Sequence, residues 1–400
     1  MNIAAANTAA PRAAPVSREE LLRRAKALVP ALRERAARCE RLRRVPEETV
    51  AEYVAAGLIR STQPNRFGGS EVGWDVLCEI TQILSAACGS QAWIQRIMAD
   101  HAQMTSTFPD QAQIDVWGDN NDALISASFD PVGRAQRVDG GFLFTGRHAF
   151  CSGVDYADWV ICGGYAHDGE RRDGPHFFLV PKTDYTIVDD WHTMGLAGTG
   201  SKSIDVRDVF VPAHRFLDGG LANKGAGPGV KINTSFVYRI PRGSGITTSG
   251  FTALTVGMAQ GVLSEWLDLT ATRTSRGVQI SLQDTTREIA ARSSGEIAAA
   301  EVLYLTTLRN ALAQVERGEE VTAGDKATAK RNVALAAQFC VAAATRMFNH
   351  AGGRALFLDG ALQRQYRNLL AAASHHALYW DQAAVEYGKH VLEARGAPKS

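Results

Sequence analysis

The sequence predicts a mainly α protein with a central β domain: an N-terminal helical domain, an antiparallel β domain and a C-terminal four-helix bundle. Three observations carry this expectation. Of 13 prolines, none lies between Pro241 and Pro398. Proline costs about 3 kcal/mol inside a helix, so this Ala-, Leu-, Arg- and Glu-rich stretch reads as long helices. From about residue 122 to 218 the helical spacing gives way to short β-type runs punctuated by Gly, Pro and Asp. Ahead of that block, apolar residues recur at intervals of three and four from Leu21 onward. A chain of 400 residues also exceeds one compact core, which favours two or three domains.

Residues 1–17 are rich in Ala and Pro and read as a disordered tail. The helical domain is expected over 18–121. Ser17 and Glu20 fit a capping box ahead of Leu21, Leu22, Ala25, Leu28, Val29 and Leu32. Further helices are expected at 47–57, 74–88, 90–107 and 110–117, with an irregular loop from Pro64 to Gly69. The β domain, 122–230, contains the runs 141–145, 159–162, 177–180, 203–206 and 209–211, with hairpin turns at Asp139–Gly141 and Asp168–Gly174. The bundle, 231–400, follows a Gly-rich connection at 219–245. Its four helices are expected at 250–275, 281–316, 324–350 and 361–394. In the second of these, Ile289, Ser293, Ile297, Ala300 and Tyr304 share one face and leave Arg292, Glu296 and Arg309 on others.

Composition excludes several classes of function. Lys+Arg 43 against Asp+Glu 42 gives a net charge of +1, too little for bulk attraction to nucleic acid. No apolar run approaches the ~18 residues of a membrane span. The N-terminus has no basic segment followed by an apolar core, so no secretory signal is expected. Six scattered cysteines without CxxC spacing argue against a zinc site or a disulfide framework and favour a cytoplasmic protein.

Motifs of the common enzyme classes are absent: there is no GxGxxG after a strand, P-loop, HExxH or GxSxG. No pair of histidines with a carboxylate has metal-ligand spacing, so no metal is expected. Four features remain. Gly195–Ser201 is a Gly-rich turn whose N–H groups and hydroxyls suit a phosphate, or simply a tight connection before a strand. Phe150-Cys151-Ser152-Gly153 places a hydroxyl at a bend, where it serves a ligand or bonds its own backbone. His375 and His376 are adjacent. In a helix, neighbouring side chains diverge by about 100°, so only one of them faces the interior. His101 lies in an expected helix, with the same choice between a core and a site role.

Taken in order, the blocks and motifs resemble the acyl-CoA dehydrogenase fold over about residues 18 to 395. Pro46-Glu47-Glu48, Ala56-Gly57-Leu58 and Gln63-Pro64-Asn65-Arg66-Phe67-Gly68-Gly69 are similar to its opening pattern. Gly140–Gly153 with Ala157-Asp158-Trp159, and then Met194-Gly195-Leu196 through Pro212, resemble its second and third signatures. The departures narrow the likeness. The dehydrogenases carry a catalytic glutamate nine residues after an arginine; here that count from Arg367 reaches His376, with no EGT following. Their GSD turn is also missing from Ser126–Pro131. Histidine at this place is similar to the group D, two-component flavin-dependent monooxygenases, the branch of the p-hydroxyphenylacetate and secosteroid phenol hydroxylases.

That resemblance implies an oxygenase component that hydroxylates a phenolic or other electron-rich aromatic substrate through a C4a-hydroperoxide. It would use O₂ and reduced flavin (FMNH₂ or FADH₂) from a separate reductase, with NAD(P)H acting only through that partner. It implies that Ser152 lies beside flavin N5 and that Phe150 packs on the ring. Gly195, Thr199 and Ser201 would approach the cofactor, and His376 would accept a phenol proton or assist the peroxide, with His101 directed at the substrate. A neighbouring subunit would hold the pyrophosphate through elements that here read Arg273-Thr274-Ser275-Arg276-Gly277 and Ala351-Gly352-Gly353-Arg354, in a homotetramer. The competing expectations are an N- or S-oxygenase on this scaffold, a dehydrogenase with a displaced base, and a non-catalytic flavin-binding assembly protein.

Overall fold

A computed structural model describes residues 15–398, so the expected tail lies, for residues 1–14, outside the described residues. Five helices come first: α1 (Arg18–Leu42), α2 (Glu47–Ala55), α3 (Trp74–Ser85), α4 (Gly89–Thr105) and α5 (Asp110–Trp117). Only half of the expected capping box forms. Ser17 accepts the Glu20 N–H at 3.3 Å, but the Glu20 carboxylate turns to Arg23 and Arg24 at 2.6 and 2.7 Å. α4 is buried along its entire length, which makes it the spine of the molecule.

Seven strands follow: β1 (Ile125–Val138), β2 (Gly141–Cys151), β3 (Trp159–Asp168), β4 (Arg171–Pro181), β5 (Tyr185–Val188), β6 (Lys202–Pro212) and β7 (Phe216–Leu217). They form one sheet in the order β5-β6-β2-β1-β3-β4-β7. The sheet is mixed, not purely antiparallel as expected: β1 and β3 run parallel, with Ile125 opposite Trp159. The cause is local. β2 returns along one side of β1, and residues 152–158 then cross the start of β1 to begin β3 on its other side. Asp158 pins that crossing, its N–H on the Leu124 carbonyl and its carboxylate on the Leu124 N–H, at 2.8 and 2.9 Å. Ser152 is therefore the first residue of a constrained crossover. β1 also bulges between Ser128 and Gly133, which swings Phe129 toward α4.

The Gly-rich connection contains α6 (Gly219–Asn223) and two short 3₁₀ turns, at Pro228–Lys231 and Phe236–Arg239. It is tied down by Gln103 and Asn233, which donate to the Val237 and Ser106 carbonyls at 2.6 and 2.7 Å. The bundle comprises α7 (Ser249–Thr272), α8 (Asp284–Glu316), α9 (Ala323–His350), α10 (Ala361–Ala373) and α11 (Trp380–Glu393), with a minimal hairpin, β8 (Thr274–Ser275) and β9 (Val278–Gln279), after α7. The expected face of α8 is the buried one. Glu296 pairs with Arg292 and Arg346, and Arg309 with Glu79, outside it. The fourth expected helix, 361–394, is not continuous. It breaks at Ser374–Tyr379, where no Gly or Pro marks the sequence, and this break carries both adjacent histidines.

Candidate active site

The site lies where α4, the β2–β3 crossover, the Gly195–Ser201 turn, the start of α7 and the α10–α11 break converge. On α4, Trp93, Arg96 and Asp100 follow i, i+3, i+7 spacing and so share one stripe, with His101 beside it. Trp93 donates its indole N–H to Ser152 Oγ at 3.2 Å. Ser152 Oγ is 2.6 Å from Ser201 Oγ, which is 2.7 Å from Thr199 Oγ1; Thr199 in turn donates to the Leu196 carbonyl at 2.8 Å. The expected hydroxyl residues Ser152, Thr199 and Ser201 thus form one nearly sealed chain.

The Gly195–Ser201 turn is clamped from both sides. Asn368 of α10 accepts the Leu196 N–H at 2.7 Å, and Arg367 donates to the Met194 carbonyl. Gly195 sits so close to α10 that a Cβ would come within 2.3 Å of the Arg367 carbonyl oxygen. Gly195 therefore has to be glycine for the turn to pack against α10. At the end of β2, Phe150 has a left-handed backbone, φ 62°, unusual for a bulky residue. The residue is 70% exposed, and its ring meets that of Trp191 nearly at right angles, with centroids 5.8 Å apart. An aromatic side chain held open at a strained position beside buried hydroxyls is a ready platform for a flat ligand.

His375 and His376 do not sit in a helix, so the helical divergence expected for them does not apply. His375 has extended backbone and caps the 3₁₀ turn His376–Leu378, its Nδ1 accepting the Ala377 N–H at 3.2 Å. Its ring stacks on Phe251 of α7 (centroids 3.8 Å, 21°) and lies 6.1 Å from Trp93, while His376 is exposed. The inward imidazole is therefore His375. On the far face of Phe251 stands the Arg96 guanidinium, 4.0 Å from the ring centroid. Arg96 is 2% exposed, pairs with Asp100 at 3.2 Å and donates to the Thr247 carbonyl at 3.0 Å. Arg242, from the connection, approaches Asp100 from the other side at 4.0 Å and covers Phe129. Trp93, Arg96, Asp100, Arg242 and Phe251 were missed from sequence, since each reads as ordinary helix or loop content.

The hydrogen bonds assign the two imidazoles opposite roles. His101 is buried, and its Nδ1 lies 2.9 Å from the Ile125 carbonyl, which can only accept. Nδ1 therefore carries the proton, and the lone pair of the neutral ring is on Nε2. Burial pushes its pKa down to about 4, so it stays neutral at ordinary pH. In His375, Nδ1 accepts a backbone N–H, so the neutral ring carries its proton on Nε2 and is a donor there. Burial, with the charges of His376 and Arg96, pushes its pKa to about 3. His101 thus presents an acceptor and His375 a donor.

Arg273, Gly352 and Gly353 lie together but elsewhere. Arg273 donates to the His350 carbonyl at 2.9 Å and to that of Ala351, so it closes the C-terminal end of α9. Gly352 (φ 77°) and Gly353 are exposed beside it. From Phe251 to Arg273, α7 rises roughly 30 Å, so these residues do not join the Ser152 cluster of the same protomer.

Comparison with known proteins places the chain as a whole. Residues 249–380 match the family model of the acyl-CoA dehydrogenase C-terminal domain. The chain is 34% identical over 371 residues to the flavin-dependent monooxygenase, oxygenase subunit HsaA, of Rhodococcus jostii (strain RHA1), covering 92% of this chain and 97% of that protein. It is 32% identical over 372 residues to the FADH(2)-dependent resorcinol hydroxylase, oxygenase component, of Rhizobium sp. (strain MTP-10005), covering 90% and 91%. The crystal structure of the HsaA monooxygenase from M. tuberculosis superposes with a TM-score of 0.90 at 31% identity, over 96% of this chain and 99% of that one. A flavin ring needs a flat apolar surface with polar groups along one edge, and Phe150 with the Ser152 hydroxyl has that character.

Proposed function

Because the chain belongs to the family of flavin-dependent monooxygenase oxygenase subunits, we propose that its site hydroxylates a phenol, with reduced flavin against Phe150 and the substrate's oxygen at His101. Resorcinol, named for one relative, is a substrate of that chemical class. Reduced flavin held against Phe150 and Ser152 would supply the two electrons that activate O₂, one oxygen atom going to the phenol and the other leaving as water. The residues of this chain do the rest. Phe150 supports the ring face, Ser152 meets its polar edge, and Trp93, Phe251 and the packed α4 stripe keep water from the reacting atoms. His101 Nε2 accepts the phenol proton, which raises electron density on the ring carbon that is attacked. His375 Nε2–H donates toward the oxygen being transferred.

The observation that carries this reading is the His101 hydrogen bond to the Ile125 carbonyl. It fixes a neutral imidazole with its free lone pair on Nε2, the form a general base requires. His376, the base suggested by residue counting, is exposed, and its ring lies 4.3 Å from that of His375 on the outer side of the turn. The test is steady-state turnover with a flavin reductase, NADH and a panel of phenols, scoring hydroxylated product against hydrogen peroxide. His101→Ala should lower hydroxylation at least about 100-fold, the usual contribution of a general base, while reduced flavin is still consumed. Undiminished product would remove His101 from the mechanism.

The reading extends to assembly and location. A separate reductase supplies the flavin, and the chain works as a homotetramer in the cytoplasm. Support for self-association comes from the run Leu356, Phe357 and Leu358, which is 65–76% exposed, next to Arg273, Gly352 and Gly353. A neighbouring copy would bring those residues to the pyrophosphate end of a flavin. Among the described residues all six cysteines are free and buried, as a reducing compartment allows, and no helix is long and apolar enough to cross a membrane. Light scattering of the purified chain reads the oligomer directly; a monomer would sink the shared-site part of the proposal.

A further inference from the structure

The hydroxyl chain at Ser152 has a direction. The Leu196 carbonyl can only accept, so its 2.8 Å contact consumes the Thr199 proton. Thr199 Oγ1 must then accept at 2.7 Å from Ser201, which uses the Ser201 proton. Ser201 in turn must accept at 2.6 Å, so the Ser152 proton points at Ser201. The Trp93 indole can only donate, and at 3.2 Å it takes one Ser152 lone pair. What remains on Ser152 Oγ is a single lone pair and no available proton. Exposures of 7, 2 and 5% for Ser152, Thr199 and Ser201 keep the chain out of bulk water.

We propose that this one-way chain makes the site selective for reduced over oxidised flavin, with Thr199 and Ser201 as the positioning residues that set the selectivity through Ser152. The proposal rests on the reading above that Ser152 meets flavin N5. Reduced flavin carries a hydrogen on N5 and is a donor there, which satisfies the remaining Ser152 lone pair. Oxidised flavin has a bare lone pair on N5, so two acceptors face each other and N5 loses its hydrogen bond to water without replacement. Turning the Ser152 proton outward would need Ser201 and Thr199 to reorient as well, and would cost the hydrogen bond to the Leu196 carbonyl. The discrimination is therefore built into the protein before any ligand arrives. It also favours release of the cofactor once it has been oxidised.

The experiment is anaerobic equilibrium titration of the full-length protein with FMN and FAD, each oxidised and dithionite-reduced, read by fluorescence. In Thr199→Val, Ser201 loses its acceptor and can donate to Ser152. In Ser201→Ala, Ser152 loses its acceptor outright. Either change frees the Ser152 proton for oxidised N5. Both variants should bind oxidised flavin about tenfold more tightly, the worth of one net hydrogen bond, with reduced-flavin affinity changed less than about threefold. Ser152→Ala should weaken reduced-flavin binding about tenfold without strengthening the oxidised form. Wild-type protein should also bind reduced 5-deazaflavin, which has carbon in place of N5–H, about tenfold less well than reduced flavin.

If Ser152→Ala weakens reduced flavin but Thr199→Val and Ser201→Ala leave the reduced-to-oxidised ratio unchanged, the directional chain is wrong while the placement of Ser152 stands. If Ser152→Ala leaves reduced-flavin affinity untouched, Ser152 does not meet N5, and both the placement and the selectivity proposal fall. Thr199→Val preserves side-chain shape, so the test survives if Ser201→Ala folds poorly.

Discussion

Acidification should destabilise this protein through histidines that fold in the neutral state, and His148 isolates the effect. It lies in β2 with 0% exposure, stacked on Phe144 (centroids 5.7 Å, 13°), and neither ring nitrogen has a hydrogen-bond partner. Burial pushes its pKa down to about 4, as it does for His101. Above pH 6.5 folded and unfolded forms are both neutral, so these residues contribute no pH dependence. Below it the unfolded chain takes up protons that the folded chain refuses, so stability falls with pH until the folded pKa near 4 is reached. At pH 5 the linkage amounts to about 2 kcal/mol per histidine, or roughly 6 kcal/mol once His375, pushed down to about 3, is counted with His148 and His101, against a typical total of about 5–15 kcal/mol. Chemical denaturation at fixed protein concentration, from pH 7.5 to 5, should show this loss. His148→Leu should match wild type within about 1 kcal/mol at pH 7.5 and exceed it by about 2 kcal/mol at pH 5. Carboxylates titrate in both proteins and cancel in the difference. Parallel pH profiles would refute the reasoning, because His148 would then accept a proton in the fold.

Three further outcomes follow from the site. Ser152→Ala orphans the buried Trp93 N–H and should cost about 1–2 kcal/mol of stability, while diverting more reduced flavin to hydrogen peroxide; denaturation and a peroxide assay check each part. Phe150→Ala should weaken reduced-flavin binding about tenfold with little loss of melting temperature, since its open ring supports a ligand more than the core. Arg96→Met leaves Asp100 buried with only the more distant Arg242, and should cost about 3 kcal/mol or more. The double change Arg96→Met/Asp100→Leu should recover most of it in the same melt, and failure to recover would show that the guanidinium's contact with Phe251 matters more than the ion pair.

The residues that repeat at helical spacing were legible in the sequence, and so was the order of the blocks. The buried face of α8 follows its periodicity, and α5 spans the expected residues. The parallel pairing of β1 and β3 was not, because seven crossover residues do not announce which edge of β1 they reach. The break at Ser374–Tyr379 was hidden for a different reason. Its residues have no strong helix-breaking propensity, and what interrupts the helix is tertiary, the stacking of His375 on Phe251 and the capping of Ala377 by His375. That same break turns His375 inward in place of His376. Ser152, Thr199 and Ser201 were visible as hydroxyls near turns, but their direction depends on Trp93 and on the Leu196 carbonyl, which no spacing rule connects to them.

The most direct test of the account is the partition of reduced flavin between hydroxylated phenol and hydrogen peroxide in His101→Ala, His375→Ala and His376→Ala, measured side by side from pH 6 to 8. The account predicts that the first two lose most of their product and the third keeps nearly all of it. Wild-type partition should be flat across this range, because His101 and His375 stay neutral throughout. Loss of product in His376→Ala alone, with His101→Ala and His375→Ala intact, would contradict the assignment of acceptor and donor on which the mechanism stands.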